Sequence, residues 1–129
     1  MRFLGSLVLA MVVLVPGCAS TRSVSRDLSV TNETDQFRIR IASLESFTEM
    51  LEYEWTTTAS IATVVQADGI QGGIAHMEIR DPEGLVIHSK SLRGAGTFMT
   101  HAGRPGVWKV RFDFDKATGS VDVTVQNPG

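Results

Sequence analysis

The chain has 129 residues, 43% of them hydrophobic and 20% charged, with a formal net charge of −2. That is enough for one domain with its own core. Weak acidity without a Lys/Arg cluster excludes the electrostatic footprint of a nucleic-acid binder and the polybasic stretch of a protein held to lipid by charge.

Met1-Arg2 gives a short positive start, and an apolar run follows from Leu4 to Val15. The run is shorter than the ~20 apolar residues that span a bilayer, and it has the form of a signal-peptide core. Cys18, the sole cysteine, stands directly after it, so no internal disulfide can form. The stretch Leu14-Val15-Pro16-Gly17-Cys18 resembles the bacterial lipobox, with Val15 at −3, Gly17 at −1 and Cys18 at +1. The resemblance implies cleavage after residue 17, a diacylglyceryl group on the Cys18 thiol and a fatty acid such as palmitate on its new amine. Two or three acyl chains give stable anchoring where one is marginal. Ala19, standing where an Asp would retain a Gram-negative lipoprotein at the inner membrane, implies the outer membrane.

Residues 18–36 carry few apolar side chains and are expected to form the lipidated Cys18 and a solvated tether. From Phe37 to about Asn127 the hydrophobic period is two, as in half-buried antiparallel strands. Phe37, Ile39 and Ile41 alternate with Arg38 and Arg40, and Leu51, Tyr53 and Trp55 alternate with Glu52 and Glu54. The same alternation runs through Ala75–Ile79, Trp108–Phe114 and Val121–Val125. Further strands are expected within 59–66, at 85–90 and around 97–101. Ser43–Met50 reads as a loop or short turn, with a helical turn capped by Ser46 and Glu49 as the alternative. Seven or eight short strands predict an all-β antiparallel sandwich, jelly-roll or Ig-like.

Turn chemistry sets the expected connections. Asp81-Pro82-Glu83-Gly84 fits a hairpin loop with Pro at its first central position and a left-handed Gly. A three-residue loop pairs Ile79 with Ile87 and Met77 with Ser89, which turns His76 and His88 to the solvent side, opposite Lys90 and Glu78. Asp115–Gly119 is expected to be the last hairpin, between the Trp108 and Val121 strands. Trp55, Phe98, Trp108, Phe112 and Phe114 fall on the faces expected to be buried and are read as core rather than as a glycan-stacking platform.

Ile79–Gly84, Gly96-Thr97-Phe98, Gly106–Val110 and Gly119-Ser120-Val121 together resemble GOLD-like and bacterial pre-peptidase-type β-sandwich modules. The Glu52-Tyr53-Glu54-Trp55 strand is similar to one in a group of small bacterial lipoproteins. These resemblances imply an accessory or protein-interaction unit with no catalytic residues to carry over.

Three weak constellations are visible. His76 and His88 would be diagonal neighbours in the hairpin, close enough to share a metal, but Arg80 and Lys90 beside them disfavour a cation. Glu52 and Glu54 on one strand lie ~7 Å apart, a glycosidase-like spacing, on an exposed sheet where no burial raises a carboxyl pKa. The glycines of 69–73 and 94–96 precede no helix and so form no phosphate cradle. The sequence therefore leads us to expect a membrane-tethered, non-enzymatic sandwich without cofactor, metal or nucleic acid, bound to another envelope protein. The alternative is a small-ligand module for lipid, glycan or metal, using the loops at 69–73 and 94–106.

Overall fold

The computed structural model describes residues 24–128, and Cys18, with the stretch read as a lipobox, lies outside the described residues. Seven antiparallel strands account for the described chain: β1 (Val24–Glu33), β2 (Gln36–Thr57), β3 (Thr63–Gln66), β4 (Ile70–Arg80), β5 (Val86–Ser91), β6 (Gly96–Met99) and β7 (Gly106–Gln126). They form one hydrogen-bonded network in the order β1-β2-β7-β3-β6, with β4 joining β7 to β5.

The network folds over itself because β2 and β7 run through both layers as a bent pair. Gln36–Ile41 pairs with Val121–Gln126 in the first layer, and Glu49–Thr57 pairs with Gly106–Phe114 in the second. Between these stretches the β2–β7 register shifts three times, at Ile41/Leu44, Leu44/Phe47 and Phe47/Glu49. Each shift adds residues to one side of the ladder and increases local bend and twist. Ser46 (φ 48°), Lys116 (φ 53°) and Gly119 (φ 127°) take left-handed backbone at this corner. A Cβ at Gly119 would fall onto the Gly69 carbonyl, so the close approach of the 69–71 segment requires glycine.

The corner overturns two expectations. Asp115–Gly119 is a bend within a continuous β7, not a hairpin. Residues 43–50 are bulged strand, not loop or helical turn: Leu44 and Phe47 are both buried because bulges lengthen the local repeat from two residues to three. A third difference lies at the start. The stretch read as tether contains β1, paired with β2 from Val24↔Glu45 to Glu33↔Gln36. It has few apolar residues because it is an edge strand, held by backbone hydrogen bonds along its inner side only.

The inward faces make one core that includes Phe37, Ile39, Val64, Trp55, Met77, Ile79, Val110, Phe112 and Val123. Phe37 of the first layer stacks on Phe112 of the second, centroids 6.4 Å apart. Trp55 and Trp108, paired across β2 and β7, meet edge to face at 5.6 Å with both side chains fully buried. Each indole N–H still finds an acceptor, as a buried one must: Trp55 donates to the Glu33 carbonyl (2.9 Å) and Trp108 to the Arg104 carbonyl (2.6 Å). The reading of the aromatics as core holds for Trp55, Trp108, Phe112 and Phe114, whereas Phe98 is half-buried and lies outside the core.

Polar bonds close both open sides of the sandwich. On one side Asn32 Nδ2 donates to the Glu54 carbonyl (2.8 Å), and the Asp35 amide donates to the Thr56 carbonyl (2.9 Å). On the other, Gln66 Nε2 donates to the carbonyls of Ser91 (3.0 Å) and Gly94 (2.8 Å). The result is a sandwich with two distinct ends. The corner end holds 42–48, 67–73, 92–95 and 115–120, and the loop end holds the turns at 34–35, 58–62, 81–85 and 100–105.

Candidate functional site

The loop end is organised around Asp81, which is 5% exposed. Its Oδ1 accepts from the amides of Glu83 and Leu85, both at 3.0 Å, and its Oδ2 accepts from the Arg104 amide at 3.1 Å. Burial pushes this carboxyl up, but the amides of Leu85, Arg104 and Glu83, together with the Arg104 charge, outweigh burial and hold it below the usual carboxylate range. Asp81 thus shapes its own turn and ties it to the 100–105 loop. The Asp-Pro-x-Gly sequence was legible as a turn, but the tie to Arg104 had no local signal.

Neighbouring contacts stiffen the same end. Arg104 pairs with Glu83 at 2.9 Å. Gly103 donates to the Ser60 carbonyl (2.8 Å), and the Thr100 amide donates to the Ala62 carbonyl (2.9 Å). A Cβ on Gly103 would come within 2.8 Å of the Asp81 Cβ, so this loop packs where only glycine fits. On this frame stand four of the eight large apolar side chains exposed among the described residues: Leu85, Val86, Met99 and Val107.

The hairpin below the loop corrects the expected histidine arrangement. Arg80 pairs with Val86, but Ile79 pairs with His88, Glu78 with Ser89, Met77 with Lys90 and His76 with Ser91. A bulge between Arg80 and Ile79 places Ile87 and His88 both on the inner side. His88 is therefore buried, its ring centroid 6.4 Å from that of Phe98, and its Nε2 has no hydrogen-bond partner. His76 stays on the outer face and hydrogen-bonds Ser89 Oγ at 2.8 Å. The two histidines lie on opposite faces of the sheet and cannot share a metal. Among the described residues no group of three His, Cys, Asp or Glu side chains could hold one.

Lys90, exposed at this edge, sets its ammonium 4.4 Å from the Phe98 ring centroid. Desolvation lowers the His88 pKa, and the positive charges of Lys90, His76 and His101 lower it further. The three successive apolar residues Leu85-Val86-Ile87 break the alternation and are the sequence signal that a bulge was present.

Glu52 and Glu54 do share one face, as expected. Across the sheet Glu52 pairs with Arg111 and Glu54 with Lys109, which in turn pair with Glu78 and Arg80. Both carboxylates are exposed on this charged face, so nothing buries either as a general acid. The glycines of 69–73 lie largely within β4 at the corner rather than in a free loop. A cavity of about 590 Å³ opens on the outer side of the first layer near this corner, lined by Asp27, Ser29, Arg40, Ala67 and Asp122 among others. Arg40 lies 3.7 Å from Asp122, which also takes a two-point bond from Arg38 at 3.0 and 3.1 Å.

No protein-family model and no curated protein matches the chain. Among solved structures it is similar to one described as "CBM4 structure and function", at 13% sequence identity and a TM-score of 0.44, over 82% of this chain and 78% of that one. The chain is an all-β antiparallel sandwich, as the strands and registers above establish independently of that likeness.

Proposed function

We propose that the chain is a lipid-anchored, non-enzymatic envelope module that presents the loop end of its sandwich to a protein partner. The observation that carries this reading is the polarity of the fold. Val24, six residues after Cys18, pairs with Glu45 at the corner end. The Asp81-pinned loops and Leu85, Val86, Met99 and Val107 stand at the other end. An anchor at one end and a stiffened, partly apolar surface at the other suit a module held at a membrane and read from above. The implied site residue is Cys18, as the lipid attachment point.

A photo-crosslinking residue at Leu85 or Val107 of the membrane-extracted protein tests the surface, with one at Thr124 on the side of the sandwich as the control. The reading expects one discrete protein adduct from 85 and 107 and none from 124. Equal adducts from all three positions, or none from any, would reject the loop end as the contact.

The cavity beside Arg40, with Asp27, Arg40 and Asp122 in its lining, favours a second reading, a site for a small polar ligand. Amide shifts at Ser29, Arg40 and Ser120 on titration with sugars, amino acids or phosphate would support it. Silence at these amides removes it.

A further inference from the structure

Ile74 is 60% exposed, more than any other large apolar side chain among the described residues. It stands directly after Gly73, which has a φ of 73° and where an added Cβ would fall onto the Lys116 carbonyl. Arg93 Nη1 donates to the Gly73 carbonyl at 3.3 Å, and Lys116 takes its own left-handed turn beside it. Ile74 pairs across the ladder with exposed Asp115. The outcome is an exposed apolar side chain beside two cations, Arg93 and Lys116, on an end that also carries the exposed carboxylates of Glu45, Asp68 and Asp115. Met50, 47% exposed, extends the same outer face one row further from the corner.

An exposed apolar side chain with Lys and Arg beside it suits the interface of a bilayer: the side chain enters the acyl boundary and the cations meet phosphates. The chain between anchor and fold says which surface can reach it. From Cys18 to Val24 an extended chain spans at most ~20–22 Å. The ten residues Gly106–Asp115 rise ~30 Å from the loop end to the corner. With lipid on Cys18 the sandwich can therefore settle on its corner but cannot stand on its loop end.

We infer that the corner end, with Ile74 at its tip and Arg93 and Lys116 beside it, is a docking surface for the phospholipid bilayer. This rests on the lipidation reading of Cys18. Docking there fixes the domain upright and turns Leu85, Val86 and Val107 away from the membrane.

The test uses the full lipidated protein carrying a fluorophore on a cysteine placed at Ile74 (I74C) or at Leu85 (L85C). Each is reconstituted in phosphatidylethanolamine vesicles containing a minority of phosphatidylglycerol and a nitroxide-bearing lipid. Intact mass is taken on the same samples. The inference expects acylated Cys18, loss of most fluorescence from position 74 and none from position 85. A second pair, labelled at Gln71 with and without Ile74→Glu, should lose its quenching in the variant while thermal unfolding stays unchanged. Acylated protein with both labels unquenched, or with 85 quenched as strongly as 74, overturns the docking surface and leaves the anchor standing. Protein without acyl mass overturns the anchor and the docking together.

Discussion

Lowering the pH from 8 to 5 should weaken this fold through a single side chain, His88. In water a histidine titrates near pH 6.5. In the sandwich His88 is 7% exposed, its Nε2 is unpartnered, and its neighbours are the Phe98 ring and the charges of Lys90, His76 and His101. Burial first, then those three cations, hold its pKa below the ordinary value. The folded state therefore binds this proton less readily than the unfolded chain does. Its stabilising contribution is complete above about pH 6.5 and is lost as pH falls toward the lowered folded pKa. One proton sets a ceiling of about 1.4 kcal/mol per pH unit, or roughly 6–11 °C in Tm for a domain of this size. Thermal unfolding of wild type and His88→Leu between pH 8 and 5 separates this proton from the rest. Leu loses ring volume but removes the desolvation cost of an unpartnered nitrogen, about 1–3 kcal/mol, so the variant should fold well at pH 8 and show a much flatter pH profile. Equal slopes in the two proteins, or a wild type that gains stability on acidification, would mean that His88 does not carry the pH dependence.

Asp81→Ala frees the amides of Glu83, Leu85 and Arg104; hydrogen exchange should quicken at those three positions while the β2–β7 core stays protected. In wild type the stability held by the Asp81 carboxylate is present above its ordinary pKa of 3.8 and lost as pH falls through the lower folded value, so acid should open the loop end. Gly119→Ala drives a Cβ onto the Gly69 carbonyl at a φ of 127°, and urea unfolding should show a loss of about 2–4 kcal/mol. Phe112→Ala removes a fully buried ring that stacks on Phe37; a loss of about 3–5 kcal/mol is expected, a large share of the ~5–15 kcal/mol that holds a domain together.

What could be read from the sequence was the repeat of two. Phe37–Ile41, Ala75–Ile79, Trp108–Phe114 and Val121–Val125 all bury the side chains that alternation assigns inward. What escaped was each place where the repeat changes. Ile87 and His88 both face inward because one bulge shifts the ladder, and that reversed the expected placement of His88 and removed its pairing with His76. Leu44 and Phe47 are separated by three residues because β2 bends there, and that spacing imitates a helical turn. Asp115–Gly119 carries turn residues, yet β2 and β4 bend alongside it and keep β7 continuous. β1 escaped for the opposite reason: an edge strand with Leu28 46% exposed has little core pattern to show. At the candidate site, Asp81 was visible as a turn residue. Its bond to the Arg104 amide spans 23 positions of sequence and leaves no local trace.

An anchor at Cys18 beneath an upright sandwich is tested by the intact mass of the membrane-extracted protein, beside a Cys18→Ala variant. The native species should begin at Cys18 with added acyl mass, and the variant should leave the membrane fraction. A native protein that is soluble and bears a free Cys18 thiol would rule the anchor out.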